Sequence, residues 1–330
     1  MGFGSFLYRI MEYSGEKILV IGACGQIGKE LTLALIEKYG KKAVVASDIL
    51  EKHKVKPATL RYERLDVTNK AQLLMLVRSE KITQIYVLAA VLSASGEKDP
   101  QGSWQLNMDG LLNVLDVSVK CGVTRVFWPS SIAVFGEGCP KVGAVEETFS
   151  VPSTVYGMSK LAGEYWCRYY FDRYGLDVRS LRYPGLISYK GLPGGGTTDY
   201  AVDIFYKAKA GEEFTCFLAE DTRLPMMFMD DAIRATLELM EAPLDSVTVR
   251  TSYNLSGVSF SPSELVEAIR MQVPGFSVRY APDFRQKIAD SWPDSVDDSK
   301  ARRDWGWKPR FGLVALVSEM LAQVQVEQRV

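Results

Sequence analysis

Lys17-Ile-Leu-Val-Ile21 runs directly into Gly22-Ala-Cys-Gly25-Gln-Ile-Gly28. An apolar run that ends in glycines reads as a buried strand followed by a tight turn. Residues 26–39 then place apolar side chains at Ile27, Leu31, Leu33, Leu35 and Ile36, a helical spacing, so the turn opens a helix. Each glycine has its own task in that setting. Gly22 allows the turn, Gly25 lets backbone approach a pyrophosphate, and Gly28 permits close packing of helix on sheet. The first helical residues, Gln26 and Ile27, then belong to an N-terminus that faces phosphates. The stretch is therefore a candidate dinucleotide site.

The same rhythm continues outward. Residues 43–47, 60–65, 84–88, 125–129 and 177–182 read as strands, and residues 70–80, 102–121 and 153–174 as helices between them. Strands that are apolar almost throughout imply a parallel sheet covered on both faces. Right-handed crossovers make the expected fold class α/β, a doubly wound parallel (Rossmann) sheet. Beyond Pro184 the rhythm loosens around Gly191-Leu-Pro-Gly-Gly-Gly196, and helices are expected near residues 200–210, 230–241, 262–272 and 312–325. The expected division is an N-terminal tail (1–16), a Rossmann domain (17–183) and a smaller α+β substrate lobe (184–330). Part of the last, about 225–257, is expected to return to the Rossmann domain.

Asp48 ends the second strand. A carboxylate there hydrogen-bonds the adenosine ribose hydroxyls and repels a 2′-phosphate, which favours NAD over NADP. Asp66 ends the third strand and could reach the adenine, or serve a turn. Tyr156-Gly-Met-Ser-Lys160 puts a tyrosine and a lysine on one helix face, and Ser130 and Ser131 follow a strand that should lie nearby. Such a set can do acid-base work on a hydroxyl or carbonyl. A free tyrosine titrates near ~10, so a tyrosine base needs a field that lowers it, which Lys160 and a positive nicotinamide could supply.

Composition narrows the alternatives. The 330 residues carry 39 Lys plus Arg against 40 Asp plus Glu, a formal charge of −1, so nothing points to nucleic acid or an anionic membrane as partner. The single histidine, His53, sits among charges and reads as a solvated surface residue. One histidine leaves a Ser-His-Asp hydrolase without a well-placed base and excludes a His-rich metal centre. Five cysteines in no C-x-x-C spacing suggest neither zinc nor a disulfide framework, so no metal is expected. No apolar run approaches the ~20 residues needed to span a bilayer.

These motifs carry a resemblance. Gly-x-x-Gly-x-x-Gly, Leu88-Ala-Ala90, Asn107-x-x-Gly110-x-x-Asn113 and Tyr156-x-x-x-Lys160 resemble the extended short-chain dehydrogenase/reductases. Five further segments, at residues 92–97, 129–136, 182–188, 193–200 and 288–293, resemble the epimerase-like L-threonine 3-dehydrogenases of that family. The resemblance implies oxidation of L-threonine at its β-carbon to 2-amino-3-oxobutanoate with reduction of NAD. It implies Tyr156 as base, Lys160 on the nicotinamide ribose, Ser131 on the reacting oxygen with Ser130 beside it, and Asn107 holding the lysine through a water. Ser93, Thr197 and Trp292 would contact the amino acid, and Tyr183 the nicotinamide end. Val67, Leu88, Ala89 and Ala90 would line the cofactor cleft.

Tyr165, Trp166, Tyr169, Tyr170 and Phe171 give the helix of residues 153–174 more aromatic surface than one face easily buries. With the family habit, this suggests a homodimer through a four-helix bundle. Residues 1–16 could be a vestigial presequence or a plain tail, so the expected compartment is the mitochondrial matrix in a eukaryote and the cytoplasm otherwise. The competing functions are a nucleotide-sugar epimerase or dehydratase on the same scaffold and a non-catalytic NAD-binding regulator.

Overall fold

Ile18 and Val20 pack with one set of helices, while Leu19 and Ile21 pack with another, so the first strand is buried on both faces. That alternation runs through the sheet described by the computed structural model, which covers residues 15–52, 60–191 and 194–325. His53, most of the N-terminal tail, and Leu192 and Pro193 of the glycine loop lie outside the described residues.

The first half alternates strand and helix: β1 (Ile18–Ile21), α1 (Gln26–Tyr39), β2 (Val44–Asp48), β3 (Tyr62–Arg64), α2 (Lys70–Ser79), β4 (Gln84–Val87), α3 (Ser93–Gly96), α4 (Pro100–Cys121), β5 (Arg125–Phe127), β6 (Ser130–Ser131), α5 (Val155–Tyr174) and β7 (Asp177–Arg179). A six-stranded parallel sheet runs β3-β2-β1-β4-β5-β7, the doubly wound order. Leu73, Val77, Leu111, Val114 and Cys167 of α2, α4 and α5 cover one face. Leu31 and Leu35 of α1 cover the other.

The second half holds β8 (Leu181–Tyr183), β9 (Gly185–Ile187), α6 (Tyr200–Ala210), β10 (Phe214–Cys216), β11 (Leu224–Phe228), α7 (Met229–Glu241), β12 (Tyr253–Asn254), β13 (Val258–Phe260), α8 (Pro262–Arg270), β14 (Val278–Tyr280), α9 (Phe284–Asp290), α10 (Ser299–Trp305) and α11 (Leu313–Gln323). Ala232, Ala235 and Leu239 of α7, with Tyr253 of β12, share the core of β1 and α1. Phe205, Met226, Leu265, Ile269, Leu316 and Trp292 form a separate core.

Two expected strands are each two. Residues 177–182 divide at Ser180 into β7 and β8, and residues 125–131 divide at Trp128 and Pro129 into β5 and β6. β6, β8 and β12 form a small sheet of their own. Backbone bonding explains the switch. Arg179 O accepts from Trp128 N at 3.0 Å, closing the large sheet, and Ser180 O accepts from Tyr253 N at 3.0 Å, opening the small one. The strand expected over residues 60–65 is shorter, so Asp66 falls in the turn after it. Helix α4 starts earlier than the apolar pattern suggests, because Asp99 caps Gly102 N and Pro100 occupies the first turn.

Candidate active site

The turn after β1 is shaped by backbone against backbone. Gly22 has φ +84°, and a Cβ there would lie 2.5 Å from Ala89 N. A Cβ at Gly28 would lie 2.1 Å from Gly22 O, so only glycine lets α1 pack on its own turn. At Gly25 the nearest protein atom to such a Cβ is 3.4 Å away. Gly25 is thus not crowded by protein, and it opens onto the cleft beside Asp48. No side chain caps the N-terminus of α1, which leaves its first N–H groups for an anion.

Asp48 ends β2 in that cleft. Its Oδ2 accepts from Cys24 N at 3.0 Å, which aims the carboxylate across the turn. Asp66, Val67, Leu88, Ala89 and Ala90 line the same cleft. Asp66 also serves its turn, with Oδ1 accepting from Thr68 N at 2.9 Å and Thr68 Oγ1 at 2.7 Å. A dinucleotide fits this arrangement: a cradle that side chains would fill, an uncapped helix end and a carboxylate at the strand tip.

A second cavity, of about 140 Å³, opens beyond the turn. Gln26, Ile27, Leu88, Ala90 and Tyr183 line one part of it. Ser130, Ser131, Tyr156 and Lys160 meet Ser93, Thr197 and Trp292 around it. Gly157 makes the meeting possible, since a Cβ there would lie 2.1 Å from Ala133 O and hold α5 off the turn after β6. Ser131 caps that turn, accepting from Ala133 N at 3.2 Å, and its hydroxyl lies close enough to Tyr156 to lower the phenol.

The electrostatics differ from expectation. Burial pushes the Tyr156 phenol up to about 12, and the Ser131 hydroxyl offsets only part of that rise. Burial also pulls Lys160 down to about 7. Lys160 Nζ donates to Pro129 O at 2.6 Å and sits 4.4 Å from the Trp128 ring centroid and 5.5 Å from that of Tyr156. The protein alone therefore does not lower its tyrosine, because the lysine is directed at a carbonyl and desolvation disfavours its charge.

Three other side chains are engaged in ways the sequence did not indicate. Ser130 lines the cavity, but its hydroxyl donates to Glu164 Oε1 at 2.5 Å. Asn107 clamps the segment after β4: Oδ1 accepts from Val91 N at 2.9 Å, and Nδ2 donates to Val91 O and to Ser159 Oγ, both at 3.2 Å. Among the described residues it makes no direct hydrogen bond to Lys160. Tyr183 presents its ring to the cavity while its hydroxyl pairs with Thr236 on α7.

The glycine loop closes one side. Thr197 Oγ1 and Ser93 Oγ are hydrogen-bonded at 3.3 Å, both buried. Asp199 also lines the cavity and shapes the loop, with Oδ2 accepting from Gly195 N at 2.8 Å and Gly196 N at 2.7 Å. Burial raises the Asp199 carboxyl. It lies in the segment singled out for its glycines and threonines, where an acid beside three glycines was the available signal. Below the loop, Glu30 on α1 accepts from Ser188 Oγ at 2.6 Å and Lys190 Nζ at 2.9 Å, tying the loop's root to the nucleotide helix. No spacing in the sequence announces that link. Among the described residues no group of three or more His, Cys, Asp or Glu side chains could hold a metal, and no helix is long and apolar enough to cross a membrane.

Comparison with known proteins agrees with this geometry. The profile of the NAD dependent epimerase/dehydratase family matches residues 18–256. A GalE-like L-threonine dehydrogenase from Cupriavidus necator, solved in holo form, is 57% identical with TM-score 0.92, covering 94% of this chain and 100% of its own. A monomeric L-threonine 3-dehydrogenase from a metagenome, solved in apo form, is 48% identical with TM-score 0.90, covering 93% and 98%. An uncharacterized epimerase/dehydratase of Staphylococcus haemolyticus is 43% identical over 316 residues, 95% of this chain and 99% of the relative.

Proposed function

The chain belongs to the NAD dependent epimerase/dehydratase family, and from that premise we propose that it oxidises L-threonine to L-2-amino-3-oxobutanoate with NAD⁺. The observation that carries the reading is the cavity of about 140 Å³ in which Ser131, Tyr156 and Lys160 face Ser93, Thr197 and Trp292. It is smaller than the ~300–1,000 Å³ of sites for drug-sized ligands. That size suits a small amino acid.

Gly22, Gly25, Gln26, Ile27, Gly28, Asp48, Asp66 and Val67 would hold the dinucleotide, with Leu88, Ala89, Ala90 and Tyr183 along its cleft. Bound NAD⁺ supplies a hydride acceptor. Tyr156, as phenolate, takes the proton from the β-hydroxyl of threonine. The C–H electron pair leaves the same carbon as hydride, and a C=O bond forms. Ser131 holds the reacting oxygen. Lys160 would hold the cofactor's ribose and, as ammonium, would stabilise the phenolate. The lowering of Tyr156 that the protein alone lacks thus belongs to the loaded site, where positive charge gathers around it. Asn107 acts by fixing Val91 and Ser159. Asp199 is placed to receive the substrate ammonium at the loop.

Tyr165, Trp166, Tyr169 and Tyr174 stand exposed along α5, which supports a homodimer through α4 and α5. Bacterial relatives favour the cytoplasmic alternative for its compartment.

The test is NADH absorbance after mixing the protein, NAD⁺ and L-threonine, with L-serine and L-allo-threonine as controls. A threonine-selective rise is expected. A flat trace with measurable NAD⁺ binding would overturn the reading in favour of a regulator. Turnover of a nucleotide sugar without net NADH would favour an epimerase.

A further inference from the structure

One charged group beneath the cavity has no part in the chemistry so far. Glu164 is 1% exposed and accepts three hydrogen bonds from two elements. Ser130 Oγ on β6 donates to Oε1 at 2.5 Å, Arg182 Nε on β8 donates to Oε1 at 2.8 Å, and Arg182 Nη2 donates to Oε2 at 2.7 Å. Ser130 and Arg182 are register partners across β6 and β8, so one carboxylate pins both strands to α5. Along α5, Tyr156, Lys160 and Glu164 recur every four residues and share one side of the helix.

A buried ion pair is a weak source of stability, since apolar replacements of the whole pair are often neutral or better. What Glu164 touches suggests a different purpose. We propose that Glu164 is a positioning residue for the oxidation: it fixes the serine strand against the helix bearing Tyr156, and its carboxylate, one turn along the same face of α5, favours the ammonium form of Lys160.

The surroundings of Lys160 support the second half. On α5 it is faced by Tyr156, Glu164 and Cys167, and from the end of β5 by the Trp128 ring and the Pro129 carbonyl. Burial drives the Cys167 thiol far up, so it is neutral at ordinary pH. Burial dominates and lowers Lys160; with Cys167 neutral, Glu164, four residues along the same face of α5, is the anion that opposes it. Behind Glu164 stand Arg182 and then Glu146, whose carbonyl accepts from Arg182 Nη1 at 3.1 Å, and Lys300 lies 3.9 Å from the Glu146 carboxylate. With Glu164 uncharged, Lys160 deprotonates more readily and gives Tyr156 less help.

This inference rests on the oxidation reading, and the test separates the two. Wild type, Glu164→Gln and Glu164→Gln/Arg182→Met are compared as full-length protein. The double variant matters because the single one strands a buried arginine and could fail to fold. Competitive acetylation across pH, resolved at the Lys160 peptide by mass spectrometry, gives the lysine's apparent pKa without substrate. Steady-state rates give the pH profile of kcat/KM for threonine. In folded Glu164→Gln the Lys160 pKa is expected to fall by about 1, and by a smaller amount in the double variant, which loses the Arg182 charge as well. The acid limb of kcat/KM should move up in pH by a similar amount, and kcat at neutral pH should fall about tenfold. The threonine KM should stay within about threefold, because Glu164 does not touch substrate. An unchanged Lys160 titration and a superimposable pH profile in the folded double variant would overturn the proposal, leaving a structural ion pair. Wild type that makes no NADH from threonine would instead sink the oxidation reading, and the acetylation titration would still decide whether Glu164 holds the lysine's proton.

Discussion

The nucleotide cleft and the small cavity beside it are built in opposite ways. The cleft comes from neighbours in the chain: Gly22 and Gly25 lie in one turn, Gly28 follows in α1, Asp48 ends β2 and Asp66 lies in the turn after β3. Its shape is set by backbone crowding, with Ala89 N and Gly22 O standing where side chains would go. The cavity gathers Ser93, Ser131, Tyr156, Thr197 and Trp292 from five separate stretches of the chain, and its shape is set by side-chain hydrogen bonds. A local motif can announce the first. Only the folded chain assembles the second.

Damage should therefore separate along the same line. The largest expected effect is in the cavity: Tyr156→Phe should lower kcat for threonine by about 10²–10⁴-fold, the usual worth of a placed general base. NAD⁺ affinity by calorimetry should hardly change. Gly28→Ala should do the reverse. Its Cβ would meet Gly22 O at 2.1 Å, so dinucleotide binding and thermal stability should fall together, the latter by about 1–3 kcal/mol.

Titration sharpens the contrast. A tyrosine base works deprotonated, so kcat/KM should rise with pH to a plateau. Its midpoint should fall well below the value of about 12 that burial alone gives Tyr156. A midpoint near that value would mean the loaded site supplies no lowering. Lys160 adds a stability signature of its own. Its folded pKa of about 7 lies below the ordinary 10.5, so the unfolded chain binds more protons between those values. Stability should rise with pH across that window, and Lys160→Met should flatten that rise in denaturant titrations. Smaller still, Thr197→Val should raise the threonine KM several-fold while leaving NAD⁺ affinity alone, since it removes the Ser93 hydrogen bond on the substrate side only. A chelator should change no rate.

The same contrast accounts for what the sequence made legible. Apolar periodicity found the strands of the large sheet and the helices over both its faces. It read residues 177–182 as one strand because the extended segment runs on through Ser180, and a change of sheet there leaves no trace in hydropathy. The glycine turn and Asp48 spoke through spacing. Ser130 did not, because its partner Glu164 sits 34 residues on and is chosen by the crossing of α5 over β6. Asn107 was visible through the resemblance of Asn107-x-x-Gly110-x-x-Asn113, but its clamp on Val91 depends on where the segment after β4 returns. The raised Tyr156 and lowered Lys160 are consequences of burial, which only packing sets.

The central claim is hydride loss from the β-carbon of threonine, and an isotope follows that atom directly. With L-threonine deuterated at the β-carbon, mass spectrometry of the reduced nicotinamide should find the label there, in proportion to product formed. Reduced nicotinamide without the label, or labelled threonine returned untouched beside intact NAD⁺, would contradict it.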